Sequence, residues 1–176
     1  MLCIKTEVRE SNIANAGKGL FSLEFVPKGS IVFLPITLFP IDNIVSETQY
    51  REELKTKDYF PMNAGMRWAG DYFLYCSQEP HDADYINHAD NPNLLSCLGL
   101  FFALQDINFG DELTIDYRYI GFTGGVEIKT DNQEEVIGLS AKEALLKSAT
   151  TLINLLNEVD DIHCFDLPIQ KLTDKE

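Results

Sequence analysis

The chain reads as a mainly β fold of the α+β class, on three observations. Its apolar runs are short and closed by Gly, Pro, Asn or Asp; one turn-flanked pattern occurs twice; and a helical stripe with a capping box stands near the C-terminus. At 176 residues the chain is about one domain, long enough to bury a core, and 45% hydrophobic with 24% charged residues is ordinary for a globule in water. The formal net charge of −14 argues against a nucleic-acid partner, because phosphate contacts need clustered Lys and Arg. It suits a basic partner, or equally an acidic surface kept for solubility. No positively charged start precedes an apolar run, and no apolar stretch approaches the ~20 residues of a membrane span. The expectation is a cytoplasmic protein with no membrane contact, or a nuclear one in a eukaryote. Cys3, Cys76, Cys97 and Cys164 form no C-x-x-C pair, so neither a zinc knuckle nor a disulfide framework is expected, and no metal.

In chain order, residues 2–8 alternate loosely and predict a first strand. Asn15-Ala16-Gly17-Lys18-Gly19-Leu20-Phe21 follows; by itself its Gly-x-Gly reads as a plain hairpin turn. The repeated pattern is Ser22–Val32 against Ala103–Leu113, with Leu23 matching Leu104, Val26 Ile107, Gly29 Gly110 and Val32 Leu113. Each copy reads as a strand end, a Gly-closed turn and a new strand, which points to approximate internal symmetry, although turn-flanked strands also resemble one another by chance. Residues 31–41 are apolar with prolines that confine them to edge or irregular strand. Residues 46–58 predict a polar helix, capped by Ser46 and carrying Glu47/Arg51 and Glu53/Lys57 pairs. Met66–Cys76 has strand composition around Gly70-Asp71; Tyr72 and Tyr75 have opposite parity, so one faces inward, for packing or to offer a hydroxyl. Asn87–Asn93 is dense in Asn, Asp and Pro and predicts irregular backbone; Leu98–Leu104 reads as a strand, and Gly110-Asp111 as a turn into a strand ending at Asp116-Tyr117. Residues 120–138 are turn-rich, and Ser140-Ala141-Lys142-Glu143 opens a helix over about 140–159.

Asn87-His88-Ala89-Asp90-Asn91-Pro92-Asn93 and Glu112-Leu113-Thr114-Ile115-Asp116-Tyr117, in that order and spacing, resemble the two signature motifs of SET-domain protein lysine methyltransferases. Gly17-Lys18-Gly19-Leu20-Phe21, continued by Val26-Pro27-Lys28-Gly29, is similar to that family's N-terminal motif. The resemblance covers about residues 13–119. It implies a SET-type fold of short strands in small sheets with a knot-like threading of the C-terminal motifs, and a C-terminal helix. It divides the chain into a SET domain at 1–120, with a variable insert at about 42–70, and a C-terminal extension at 121–176 packed on it.

The same resemblance implies S-adenosylmethionine as cofactor, bound by Gly17, Lys18, Gly19, Asn87, His88 and Tyr117, with Phe122 a candidate to cover the adenine. By that resemblance Tyr117 would be the hydroxyl at the methyl-transfer point, Asn87 would hold the amino-acid end of the cofactor through its amide, and His88 would contact adenine mainly through its backbone. The implied substrate is a protein presenting a lysine. The sequence departs from the family in three places: Pro35-Ile36-Thr37 stands where many members have Tyr-x-Gly, Ala89 where Ser is usual, and Asp90 where zinc-bearing members have Cys. The last loss agrees with the absence of a Cys-x-Cys tail, so zinc independence is expected. The first two keep open a catalytically silent SET-fold protein that binds cofactor or a protein partner, beside a β-rich interaction module without cofactor. Oligomeric state is not legible.

Overall fold

The computed structural model describes residues 1–34, 44–56, 65–69, 72–75, 81–121 and 136–162. Among the described residues four small sheets carry the fold, and the helices are α1 (Glu47–Thr56) and α2 (Ala141–Glu158) beside two short 3₁₀ turns, so the mainly β expectation holds, C-terminal helix included. β1 (Thr6–Glu10) pairs antiparallel with β2 (Lys18–Ser22). The first strand thus lies later than residues 2–8, and Leu2 makes only an isolated bridge to Phe33. β3 (Ile31–Phe33) joins a second sheet. β4 (Ile44–Ser46), β5 (Gly65–Ala69) and β6 (Tyr72–Tyr75) form a third, in the order β4-β6-β5.

Asn87–His88 is β7 and Thr114–Ile115 is β10, and they run parallel, Asn87 beside Thr114 and His88 beside Ile115. The two motifs of the sequence meet there, although 27 positions separate their registers. β8 (Leu94–Cys97) and β9 (Leu100–Ala103) form a hairpin whose tip, Leu98 (φ 52) and Gly99 (φ 82), holds both central residues at positive φ as a type I′ turn requires. The run from Leu98 is therefore not one strand; it begins as a turn, in a conformation that a γ-branched residue seldom takes. β3 completes this sheet in the order β3-β9-β8.

The main core gathers Leu20, Val26, Val32, Leu94, Ala103, Ile107 and Leu113, each no more than 1% exposed. Full burial of one such aliphatic chain is worth about 1.5–3 kcal/mol. A smaller cluster, Leu95, Cys97, Phe102 and Leu155, joins α2 to the face of β8 and β9. Ser140 caps α2 by accepting from Glu143 N, and the Glu143 carboxylate returns to Ser140 N, the reciprocal box the sequence predicts. α1 starts one residue later than expected, with Gln49 N donating to Ser46 Oγ at 3.2 Å and Arg51 paired to Glu47.

The repeated sequence pattern is a real two-fold relation. Val26 N donates to Ile107 O and Ile107 N to Val26 O; Gly29 N to Ala103 O and Gly110 N to Ser22 O; Ala103 N to Ser30 O and Ser22 N to Asp111 O. Ser30 N to Pro27 O is likewise matched by Asp111 N to Asn108 O, and Gly29 and Gly110 share φ values of 84° and 86°. Strand pairing obeys the same relation: Ile31 faces Phe102 as Glu112 faces Phe21. The layer β8-β9-β3 thus corresponds to a layer of β1, β2 and residues 112–113.

Candidate active site

β7 brings Asn87 to the start of β2, beside Lys18 and Gly19, and its parallel pairing with β10 holds the segment that leads to Tyr117 against His88. A buried amide locks the pair. Asn93 Nδ2 donates to Glu112 O at 2.8 Å and Asn93 Oδ1 accepts from Thr114 N at 2.8 Å, while Asn93 N reaches Thr114 Oγ1 at 3.2 Å. An amide that donates and accepts along one strand reads its register, which is the local reason the motif ends in Asn.

Asn87 Nδ2 lies 3.0 Å from Lys18 O, 2.9 Å from Glu112 Oε1 and 3.2 Å from Ser11 Oγ. A carbonyl and a carboxylate only accept, so the amide nitrogen must face them and Oδ1 must face the other way. His88 Nδ1 accepts from Tyr117 N at 3.2 Å, which places the neutral ring's proton on Nε2; its ring centroid is 5.4 Å from that of Tyr117. The Tyr117 hydroxyl donates to Ile86 O at 2.8 Å, and burial pushes its pKa far above the ordinary tyrosine value. This hydroxyl therefore keeps its proton at every physiological pH. Asp116 accepts from Arg118 N at 2.9 Å and Arg118 Nε at 2.8 Å, and Arg118 reaches on to Asp90 at 3.3 Å. Asp116 and Arg118 thereby set the turn that aims Tyr117, and the guanidinium's own pKa rises mainly through its bond to Asp116.

The two glycines of the N-terminal motif do different work. Gly17, at φ +65, has nothing within 4 Å of where a Cβ would project, and with Glu10, Ser11, Ile13, Ala14 and Asn15 it lines an open cleft of about 740 Å³. At Gly19 a Cβ would lie 2.3 Å from Glu112 Oε1. The left-handed backbone thus accounts for a glycine at Gly17, whereas at Gly19 the space is taken by the protein's own carboxylate.

Glu112 is the residue sequence reasoning passed over. It is 9% exposed and accepts from Ser11 Oγ at 2.6 Å, Asn12 N at 2.7 Å and Asn87 Nδ2 at 2.9 Å. One signal for it was present: the internal repeat sets this acid opposite Ile31. Lys18 is exposed at the head of β2, its backbone oxygen being the part that meets Asn87. Phe122, Pro35-Ile36-Thr37 and the side chain of Tyr75 lie outside the described residues, and Tyr72 is 54% exposed. Among the described residues no group of three or more His, Cys, Asp or Glu is arranged to hold a metal.

An open edge at Gly17 and an outward amide oxygen on Asn87, backed by a buried carboxylate, offer an acceptor edge whose polarity suits an ammonium group. No curated protein matches the chain. Among solved structures it resembles the polycomb repressive complex 2 of Chaetomium thermophilum, at 21% identity and a TM-score of 0.52 over 65% of this chain and 15% of that one. A second structure of that complex, autoinhibited and bound to S-adenosylmethionine, matches at 20% identity and a TM-score of 0.50, again over 65% and 15% of the two chains. At such identities the likeness speaks for the fold, and the chain spans a small part of those neighbours' length. The SET domain family model matches residues 17–118, more than half of the chain and across all three motifs, and the chain belongs to the SET domain family.

Proposed function

We propose that the chain is an S-adenosylmethionine-dependent methyltransferase that modifies the ε-amine of a lysine in a protein substrate. The observation that carries this reading is the convergence of three distant segments: Asn87 bonds Lys18 O, and His88 receives Tyr117 N. In this reading Gly17, Lys18, Gly19, Asn87, His88 and Tyr117 form the cofactor site with Phe122, residues 1–120 are the catalytic unit and 121–176 its extension. When bound, S-adenosylmethionine supplies an electrophilic methyl on a sulfonium.

The chain's part is to align and to exclude water, since in-line displacement needs little else. Asn87 Oδ1 accepts from the ammonium end. Tyr117 presents a protonated hydroxyl on a ring held by the core, and with its proton committed to Ile86 O the oxygen's lone pairs remain for the transfer point. It takes no proton from the nucleophile. A lysine must be neutral to attack, which from a reference pKa near 10.4 costs roughly 4–5 kcal/mol at pH 7, and burial beside a positive charge lowers that cost. The net charge of −14 suits a basic partner. Titration calorimetry with S-adenosylmethionine, followed by labelled methyl transfer to a lysate and acid hydrolysis to methyl-lysine, tests the reading. Binding without transfer would leave a silent SET-fold protein, and no binding would end the proposal.

A further inference from the structure

We infer that Glu112 is a positioning residue that fixes the acceptor edge of Asn87 toward the cofactor's ammonium, an inference that rests on the function proposed above. The carboxylate lies where three elements meet. It takes a proton donor from the loop after β1 (Ser11 Oγ, 2.6 Å), a second from that loop's backbone (Asn12 N, 2.7 Å) and a third from β7 (Asn87 Nδ2, 2.9 Å). It lies against Gly19, whose missing Cβ leaves the room.

The chemistry of the three donors decides what this does. An amide side chain that sits free can turn over at little cost and present either NH₂ or C=O to a ligand. Here Lys18 O and Glu112 Oε1 both demand a donor from Asn87, so a turned amide would set oxygen against two acceptors. The outward edge is thereby an acceptor, the only polarity that suits a protonated amine. Ser11 joins the same network as a relay, receiving from Asn87 Nδ2 at 3.2 Å while donating to Glu112. The buried negative charge also stands one side chain behind the edge that meets the cation, where it strengthens that bond.

The test compares two ligands that share the adenosine part and differ in the amino-acid end: S-adenosylhomocysteine and 5′-methylthioadenosine. In Glu112→Gln, which keeps size and loses the charge and one acceptor, calorimetry should show affinity for S-adenosylhomocysteine falling about tenfold or more, as expected for a bond to a charged group. Affinity for 5′-methylthioadenosine should stay within about twofold. In an Asn87→Ala background the same Glu112→Gln change should have little further effect, because the residue acts through the amide. Equal weakening of both ligands, or full additivity with Asn87→Ala, overturns the inference and makes Glu112 a purely structural group. Should Glu112→Gln fail to fold, Ser11→Ala carries the test, with the same selective loss expected at smaller size and the same equal weakening counting against it. If the unaltered chain binds neither ligand, the proposed function fails and this inference with it; if it binds both and only the selectivity is missing, the inference alone fails.

Discussion

The two layers related by the internal two-fold share their strand pairings and turn hydrogen bonds, yet one is closed by a two-residue turn and the other carries the proposed site. In β8-β9-β3 the hairpin is shut by the two residues Leu98-Gly99, and Leu100 and Ile31 pack against the cluster that includes Leu155 of α2. In the layer of β1, β2 and residues 112–113 the same hairpin carries the loop after Glu10, and Gly19 and Glu112 stand where the other layer has Leu100 and Ile31. An apolar pair becomes a glycine and an acid. The change empties one face of side-chain bulk and installs a buried acceptor, which is what a polar ligand site needs. The turns differ in the same sense: a Cβ on Gly29 would meet Val159 at 3.1 Å, and Lys28 pairs with Glu158, whereas among the described residues a Cβ on Gly110 would meet only the Arg9 guanidinium, at 3.9 Å. One layer is a floor for the C-terminal helix, and its twin carries the proposed site.

The comparison breaks most visibly at Tyr117, which follows the open layer. Tyr117→Phe keeps the ring and removes the hydroxyl, so kcat should fall on the order of 10²-fold with cofactor affinity nearly intact. Rate, binding and melting temperature measured on one sample check this; a variant as active as the parent would deny the open layer its role. Next comes Gly19→Ala. Its Cβ would lie 2.3 Å from Glu112 Oε1, so the carboxylate must leave Ser11, Asn12 and Asn87, and a loss of about 2–3 kcal/mol is expected from urea denaturation. Gly17→Ala meets open space and should cost only the strain of its positive φ, roughly 1 kcal/mol.

A second pair sharpens the difference between the turns. Gly29→Ala and Gly110→Ala share the backbone penalty of about 1–2 kcal/mol, but only the first also crowds Val159. Gly29→Ala should melt lower by a few degrees, and Val159→Ala in the same chain should remove that gap.

Two pH effects are smaller. Because the folded pKa of Tyr117 lies above its unfolded value, the folded state loses stability as pH rises past about 10, where only the unfolded chain ionises. A spectrophotometric titration should show no tyrosinate signal lost at pH 10–11 in Tyr117→Phe. At the other end, Ser140 holds the Glu143 carboxyl below the usual range by hydrogen bonds, so its support for α2 is present above the unfolded pKa and fades as pH falls through the folded one. Comparing helicity of Glu143→Gln and parent across pH 3–5 checks it: the two should converge toward the acid end.

Local rules made much of this legible. The α2 cap rests on residues three apart, the Glu47/Arg51 pair on residues four apart, and the repeat on turn glycines, all written within short windows. Where reading slipped, the deciding contact was remote or the local conformation rare. β1 begins at Thr6 because its partners Lys18–Ser22 choose the register, and Leu98 is turned by a hairpin tip that its side chain alone does not favour.

The sequence by itself determined the family, through motifs whose residue types and spacing leave little freedom, and it determined the class of fold and the doubled turn. Only the tertiary structure decided which twin holds a buried acid and its donors, where the site is proposed. That choice depends on bonds from Glu112 to Ser11 and Asn12, 101 and 100 positions away, and on a glycine whose vacancy is filled by a side chain from a remote segment. A buried acid is stable only when its donors are assembled around it, and that assembly exists after folding and not before.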